Sequence, residues 1–197
     1  MPAVRNTLHT MTTRGVLYSV VCGAAPAAHV DRLVTQALAR GWVVQVIATA
    51  TACEHFVDLA GLERLLGEPV RTGYRPAHEP RIPADAVIVA PATYNTINKW
   101  AAGISDTYVL SLLAELTGLG TPIVVLPFVN TALAANRVFA RSLAELRACG
   151  VTVLFGPGVA VPHPPRTAET RIDAYPWHLA LDALEPEPGQ PAGPARD

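Results

Sequence analysis

The fold is decided by residues Val87–Asp106, VIVAPATYNTINKWAAGISD. The apolar run Ala86–Ala90 predicts a buried strand. Pro91 cannot donate a hydrogen bond to a sheet, so we expect the strand to end there. Small and polar residues follow as far as Thr96, and apolar residues at helical spacing come next. A strand that leads through a polar loop into a helix N-terminus is where open α/β sheets hold anionic ligands.

The residues before this stretch predict a βαβ unit. Gly15–Cys22 and Trp42–Ala48 are rich in apolar and β-branched residues, as in strands that are buried on both faces. Between them, an apolar stripe predicts an amphipathic helix that starts near Pro26 and ends at Gly41. Such a unit joins two parallel strands by a right-handed crossover.

Strands and helices alternate along the rest of the chain. The predicted elements are helices at Ala52–Leu66, Thr107–Leu116, Asn130–Arg147 and Tyr175–Leu184, and strands at Pro122–Leu126 and Val151–Leu154. We therefore expect a single α/β domain, residues 15–184, with a doubly wound, mostly parallel, Rossmann-like sheet and helices on both faces. Residues 1–14 predict a disordered leader, and residues 185–197, rich in proline, predict a disordered tail.

The composition excludes several classes of function. The net charge is −1 and 16% of the residues are charged, so nothing favours binding to nucleic acid or to an anionic membrane surface. No apolar run is long enough to span a membrane, and the first residues lack an apolar signal segment. The three widely spaced cysteines fit the reduced thiols of a cytoplasmic protein. Cys53 and His55 lie in a predicted helix where neighbouring side chains diverge, so no metal site is expected.

The loops after the first and second strands predict a phosphate site. A dinucleotide fingerprint requires three glycines and an acidic residue after the second strand. Here Gly23 is the only glycine of the first loop, and Thr49 and Thr51 stand in place of the acidic residue. Two hydroxyls without a ribose carboxylate favour a mononucleotide, although capping of the next helix by Thr51 explains that residue equally well.

The central stretch also resembles a known family. Residues 91–96, PATYNT, and residues 103–106, GISD, resemble the PASANT motif and the GxxDN segment of the flavin-containing cysteine decarboxylases. These homo-oligomeric flavoproteins include phosphopantothenoylcysteine decarboxylases and lantibiotic-processing decarboxylases. The resemblance covers about residues 15–154 and implies an FMN cofactor. The residues that it implies for cofactor binding are Gly23, Thr49, Thr51, Ala90, Pro91, Ala92, Thr93, Asn95, Thr96 and Asp106. Asp106 is also a candidate N-cap of the next helix, together with Thr107.

A second motif follows the predicted strand at Pro122–Leu126. Residues 127–134, PFVNTALA, resemble the PxMNxxMW motif of the same family, whose asparagine contacts the substrate carboxylate. Pro127 and Asn130 match, whereas the methionine and the Met-Trp pair of the motif are replaced. The resemblance therefore implies a substrate contact for Asn130. A plain N-cap of the following helix is the alternative.

The resemblance also indicates a catalytic histidine. The family places one upstream of the PASANT strand, and His78 lies at nearly that distance here. A histidine could hold a substrate carboxylate or move a proton near neutral pH. The alternative is an exposed loop histidine. Family members often carry a cysteine in a lid near the C-terminus, but no cysteine follows Cys149 in this chain.

The resemblance implies an FMN-dependent enzyme that oxidatively decarboxylates a cysteine-containing small molecule or peptide. The resemblance further implies a homo-oligomer, commonly trimer-based, and Trp100 and Tyr108 could lie either in such an interface or in the core. Two alternatives are an FMN-binding protein of the same fold without decarboxylase activity and a flavin prenyltransferase. The prenyltransferase branch usually has a Ser-Met-Lys-Thr type of loop, which this sequence lacks.

Overall fold

A computed structural model describes residues 13–74, 76 and 82–185. Its centre is a five-stranded sheet in the order β2-β1-β3-β4-β5, and all of the neighbouring strands are parallel. Strand order reverses between β1 and β3, because the chain builds β2 on one side of β1 and the later strands on the other. The predicted α/β class, with a doubly wound parallel sheet, is confirmed.

The strands and helices have these bounds. The strands are β1 Gly15–Val21, β2 Trp42–Ala48, β3 Ala86–Ala92, β4 Ile123–Pro127 and β5 Thr152–Val153. The helices are α1 Val30–Ala39, α2 Ala50–His55, α3 Leu59–Leu66, α4 Tyr94–Ala101, α5 Tyr108–Gly118, α6 Thr131–Ala134, α7 Arg137–Ala148 and α8 Trp177–Asp182. Short 3-10 helices cover Ala25–His29 and Ala168–Arg171.

Helices cover both faces of the sheet and bury an apolar core on each. Side chains of α1, α3 and α8 pack on one face, where Leu33 and Leu181 are among the least exposed residues. Side chains of α4, α5 and α7 pack on the other face, around Ile97, Leu113 and Phe139. Since both faces are covered, the central strands are apolar throughout, as the sequence pattern predicts.

The expected end of β3 at Pro91 is wrong, because the strand continues to Ala92. Pro91 lacks an N–H group, and the pairing with β4 shifts register between Val89 and Ala92. The carbonyl groups of this part of the strand still accept hydrogen bonds. Pro91 O accepts from Cys22 N at 3.1 Å, and Ala92 O accepts from Phe128 N at 2.9 Å. An irregularity in the ladder thus accommodates the proline inside a strand.

Each of two predicted helices is divided by a capping side chain. The predicted helix Ala52–Leu66 is α2 and α3, and the Asp58 carboxylate accepts a hydrogen bond from Gly61 N at 3.0 Å to start the second. The predicted helix Asn130–Arg147 is α6 and α7, and Asn136 Oδ1 accepts from Val138 N at 3.0 Å. A side chain that satisfies free backbone N–H groups makes a new helix start favourable at each point.

The two ends of the described chain meet. Arg14, predicted to lie in the leader, forms an ion pair of 2.9 Å with Glu185, predicted to lie in the tail, and Arg40 pairs with the same carboxylate at 3.1 Å. Most of the predicted leader and tail lies outside the described residues. No helix in the described part of the chain is long and apolar enough to cross a membrane.

Candidate functional site

A cavity of about 330 Å³ opens at the carboxyl ends of β1, β2 and β3. Its wall is formed by Gly23, Thr49, Ala50, Thr51, Thr93, Asn95, Thr96, Lys99, Thr107, Val109 and Leu110. The cavity therefore lies where the strand order reverses, which is the position at which open α/β sheets bind ligands. Of the predicted cofactor residues, Gly23, Thr49, Thr51, Thr93, Asn95 and Thr96 are brought together in this wall.

The loop between β3 and α4 supplies hydroxyl groups to the site. Thr93 Oγ1 accepts a hydrogen bond from Thr96 N at 3.3 Å and thereby caps α4. The hydroxyl oxygens of Thr93 and Thr96 lie 3.0 Å apart. Asn95 is exposed at the start of the helix. This arrangement places polar side chains and the positive end of an eight-residue helix beside the cavity.

The loops after β1 and β2 touch each other. A Cβ atom at Gly23 would lie 2.6 Å from Thr51 Cγ2, so a larger residue cannot fit without a shift of the backbone or of Thr51. Thr49 Oγ1 accepts a hydrogen bond from Ala52 N at 3.3 Å and caps α2. The capping alternative considered for Thr51 is thus wrong, because the cap is Thr49 and Thr51 lies inside the helix.

Lys99 is a site residue that the sequence reasoning missed. It is the only lysine in the chain, it lies in the cavity wall, and its Nζ is 2.5 Å from Asp106 Oδ2. The missed signal is its spacing, since Lys99 follows Asn95 by four residues and so shares its helix face. Lys99 is a cation, and it lies beside three loops that carry threonine hydroxyls. The cavity is therefore suited to bind an anion.

Asp106 differs from the expectation in one respect. It pairs with Lys99, and its side chain is not the cap of α5. Thr107 is that cap, because its Oγ1 accepts a hydrogen bond from Leu110 N at 3.3 Å. Asp106 is exposed and does not line the cavity. It is connected to the site by its contact with Lys99.

The residues beneath the cavity are buried. Ala90, Pro91 and Ala92, predicted to bind the cofactor, lie buried in β3 and are not part of the cavity wall. Cys22 directly follows β1, and 1% of its surface is exposed. Burial raises the pKa of the Cys22 thiol, and hydrogen bonds with the Thr96 side chain and the Thr93 backbone lower it in part. The thiol is therefore neutral at physiological pH.

Asn130 lies in the loop between β4, the strand that pairs with β3, and α6, and it is outside the cavity wall. Its Oδ1 accepts a hydrogen bond from Leu133 N at 2.9 Å, so it is the N-cap of α6. The cap uses the side-chain oxygen only, and the side-chain nitrogen is left as a donor. The N-cap alternative is confirmed, and it is compatible with a ligand contact by the amide nitrogen.

Three further residues from the sequence analysis have separate outcomes. His78 lies outside the described residues. Cys149 is exposed at the end of α7, just before β5 begins, and so lies at the amino-terminal edge of the sheet, opposite the cavity. Trp100, considered for an interface, is 5% exposed and donates from Nε1 to Thr117 Oγ1 at 3.1 Å, so it belongs to the core.

The fold and this site define an α/β protein with a candidate nucleotide site where the strand order reverses. The sequence model of the Flavoprotein family matches residues 5–173, and the chain belongs to that family. The bifunctional coenzyme A biosynthesis protein CoaBC of Mycobacterium tuberculosis is 34% identical over 155 residues, which are 74% of this chain and 35% of that protein. The chain thus spans about a third of the length of the curated relatives that it matches.

Solved structures agree in fold. The FMN-dependent cysteine decarboxylase TvaF from thioviridamide biosynthesis is 26% identical with a TM-score of 0.63, over 87% of this chain and 99% of that chain. The FMN-dependent cysteine decarboxylase SpaF is 21% identical with a TM-score of 0.61, over 88% and 99% of the two chains. The predicted family is confirmed. The family match and the likeness to TvaF support the predicted FMN cofactor and decarboxylase class.

The chain's own residues fit FMN. A phosphate needs donors and a compensating cation, and the cavity provides threonine hydroxyls, Lys99 and the capped start of α4. Gly23 has no room for a side chain beside Thr51, so the loops after β1 and β2 meet directly at the cavity. Among the residues that the structure describes, no group of histidine, cysteine and carboxylate side chains could hold a metal ion.

Proposed function

We propose that this protein is an FMN-dependent decarboxylase that acts on a substrate ending in a cysteine carboxylate. The observation that carries the proposal is the meeting of Gly23, Thr49, Thr93 and Lys99 in one cavity at the reversal of strand order. Membership of the Flavoprotein family and the likeness to FMN-dependent cysteine decarboxylases support it.

The cavity residues bind and orient the cofactor. Lys99 and the hydroxyls of Thr49 and Thr51 hold the phosphate, while Thr93 and Asn95 contact the remainder of the molecule. Bound FMN supplies the oxidation of the substrate thiol that makes loss of carbon dioxide from the neighbouring carboxylate favourable. Asp106 holds the Lys99 ammonium group in place through the contact between the two side chains.

Asn130 orients the substrate. Its oxygen is fixed by the N–H of Leu133, so its amide nitrogen has a defined direction at the end of β4. That nitrogen donates to the cysteine carboxylate before the bond to carbon dioxide breaks. A neutral donor suits this role because it binds the carboxylate without stabilising it as strongly as a cation would.

An Asn130→Asp variant separates the two roles of Asn130. Aspartate caps a helix as well as asparagine does, so the melting temperature should stay near that of the wild type. Its negative charge repels a substrate carboxylate, so kcat/KM should fall at least about ten-fold. The measurement is the release of carbon dioxide labelled at the cysteine carboxyl carbon, from phosphopantothenoylcysteine and from a peptide that ends in cysteine. Equal activity in the variant would remove Asn130 from the substrate site.

One observation favours a second candidate, an FMN-binding protein without decarboxylase activity. No cysteine follows Cys149 in the sequence, and Cys149 lies at the far edge of the sheet. If the protein binds FMN stoichiometrically and releases no labelled carbon dioxide from either substrate, this second function replaces the first.

The assembly and the cellular location are part of the same proposal. The protein acts in the cytoplasm as a homo-oligomer, built from trimers, as the family resemblance implies. Light scattering on the eluate of a size-exclusion column measures the assembly directly. A mass equal to that of the single chain at micromolar concentration would contradict an oligomer.

A further inference from the structure

The surface between α1 and α3 contains a groove with a volume of about 460 Å³. We call it the α1–α3 groove. Its wall combines the end of the first 3-10 helix and the first half of α1 with α3 and the two residues before α3. The wall residues that determine its binding chemistry are Val30, Asp31, Val57, Asp58, Leu62 and Leu65. The groove is separate from the wall of the candidate FMN site.

The apolar part of the groove is incompletely covered. Val30 and Leu62 are each 3% exposed, so their side chains belong to the core beneath the groove. Leu65 lies three residues after Leu62, on the same side of α3, but it is 40% exposed. An exposed leucine above buried apolar residues offers an apolar segment a surface on which to pack.

The polar part of the groove is mainly acidic. Asp31 and Asp58 are exposed, and within the described part of the chain neither of them forms an ion pair. The Asp58 carboxylate uses one oxygen, because its Oδ1 accepts from Gly61 N at 3.0 Å, and the other oxygen remains an acceptor. His29 is the only basic side chain in the wall. The groove is therefore suited to a ligand that combines apolar side chains with a cation.

Residues 1–12, which precede the described part of the chain, have this complementary chemistry. Their sequence, MPAVRNTLHTMT, contains no carboxylate side chain and one arginine, Arg5. Val4, Leu8 and Met11 recur at intervals of four and three residues, which is the spacing of one helix face. An apolar stripe with a neighbouring cation is the kind of segment that binds in a groove between two helices.

The connection between this segment and the groove is short enough. Arg14 N donates to Gly41 O at 3.0 Å, so the described chain begins beside the C-terminal end of α1. Thr35, in the groove wall, lies about 6 Å along the axis of α1 from its last residue, Ala39. Twelve residues span up to about 40 Å when extended and about 18 Å as a helix. Residues 1–12 can therefore reach the groove of their own chain.

We propose that residues 4–11 bind in the α1–α3 groove of the same chain. Leu8, the middle residue of the apolar stripe, packs against Leu65. Arg5 lies between the carboxylates of Asp31 and Asp58. A segment that is disordered alone can become ordered on such a surface, and the covalent connection gives it a high effective concentration. This inference does not depend on the proposed flavin chemistry.

Cleavage by thermolysin, which cuts before large apolar residues, tests the proposal on the full chain. If the segment leaves and rejoins the groove quickly, the rate of cleavage before Leu8 reports the unbound fraction. Each rate is divided by that of the isolated peptide of residues 1–12 with the same sequence. The groove variants are Leu65→Lys and Asp31→Arg. Their controls are Leu119→Lys and Glu54→Arg, at exposed residues of the same kind that do not line the groove.

The expected result is a loss of protection in the groove variants alone. Leu65→Lys should raise the cleavage rate about ten-fold, because it removes an apolar contact and adds a charge that repels Arg5. Asp31→Arg should raise the rate about three-fold, since an exposed ion pair contributes less. Combining Arg5→Asp with Asp31→Arg should restore part of the protection that Arg5→Asp alone removes. Equal rates in the wild type and both groove variants would overturn the proposal.

A disulfide identifies the chain to which the segment binds, and it does not require a charge in the groove. Leu8→Cys and Leu65→Cys are combined with Cys149→Ser, which removes the exposed native thiol. Mild oxidation should link the two new cysteines within one chain, which a denaturing gel without reductant shows as a monomer. Leu8→Cys with Leu119→Cys is the control and should not form this link. A disulfide between two chains, or none, would contradict binding within the same chain.

Discussion

Lys99 Nζ lies 2.5 Å from Asp106 Oδ2, and this contact joins α4, in the wall of the candidate FMN site, to the segment that leads into α5. Both side chains are partly exposed, so the pair adds little to folding stability. The pair instead fixes the position of Lys99, the only lysine of the chain, in the wall of the cavity.

The first prediction concerns the charge of Lys99. Lys99→Gln should raise the Kd for FMN about ten-fold, because a phosphate loses a charge-assisted hydrogen bond. The Kd for riboflavin, which has no phosphate, should not change. Titration of the flavin fluorescence measures both. If Lys99→Gln weakened the binding of FMN and of riboflavin equally, a contact between Lys99 and the phosphate would be contradicted.

Because Lys99 is the only lysine, amine acylation reports on it directly. A lysine-selective reagent should modify Lys99 in the protein without FMN, and saturating FMN should protect it, as peptide mass analysis would measure. Riboflavin serves as the matched control and should protect less.

The second prediction concerns Thr93, which caps α4 and lines the cavity. Thr93→Ala should lower the free energy of unfolding by about 1 kcal/mol and also weaken FMN binding. Thr93→Ser keeps the oxygen and should retain both properties. Chemical denaturation and flavin titration measure the stability and the FMN affinity of both variants. If Thr93→Ser were as unstable and bound FMN as weakly as Thr93→Ala, a role for the hydroxyl would be contradicted.

Much of the fold could be predicted because the strands are apolar over their whole length and helices alternate with them. The breaks at Asp58 and Asn136 were missed, since the apolar stripe continues across each break and only a single capping side chain marks it. The strand end at Pro91 was wrong because a proline can be accommodated where the ladder is irregular. These are cases in which one local contact outweighs a longer pattern.

The candidate cofactor site could be predicted in part, because it follows from the arrangement of the strands. The polar residues after β1, β2 and β3 follow strand ends, and parallel strands bring their carboxyl ends to one edge. Lys99 was missed because it lies a full turn into α4, away from any strand end.

The third prediction concerns the hydroxyl of Tyr175. Val125 O accepts from Leu154 N on the β5 side, so Leu126 O is directed toward β3, where Pro91 has no N–H to donate. Tyr175 satisfies that carbonyl, and Tyr175→Phe leaves it without this partner. We expect a loss of about 1–3 kcal/mol in the free energy of unfolding. Tyr74→Phe, at an exposed tyrosine, is the control and should have a smaller effect.

The fourth prediction concerns alkaline pH. Burial raises the pKa of the Cys22 thiol above its ordinary value of 9.0 and holds the pKa of the Tyr175 phenol well above 10.0. Both groups therefore lose their protons at lower pH in the unfolded chain than in the folded one. The stability that they contribute is present in full below about pH 9 and falls as pH rises through the folded values.

Denaturant unfolding at several pH values measures this effect. The midpoint should be steady from pH 7 to about pH 8.5 and should then decrease. Thiol labelling gives an independent check: at pH 8 the exposed Cys149 should react first, and Cys22 only when the chain unfolds. Rapid labelling of Cys22 in the folded protein would contradict its burial.

The most direct test of FMN binding is the titration of the purified protein with FMN, followed by gel filtration and an absorbance spectrum. We predict saturable binding of one FMN per chain with a Kd at or below about 1 μM, and a flavin spectrum that elutes with the protein. A protein that stays colourless with excess FMN, and whose Lys99 remains open to acylation, would contradict the claim that this cavity holds a flavin.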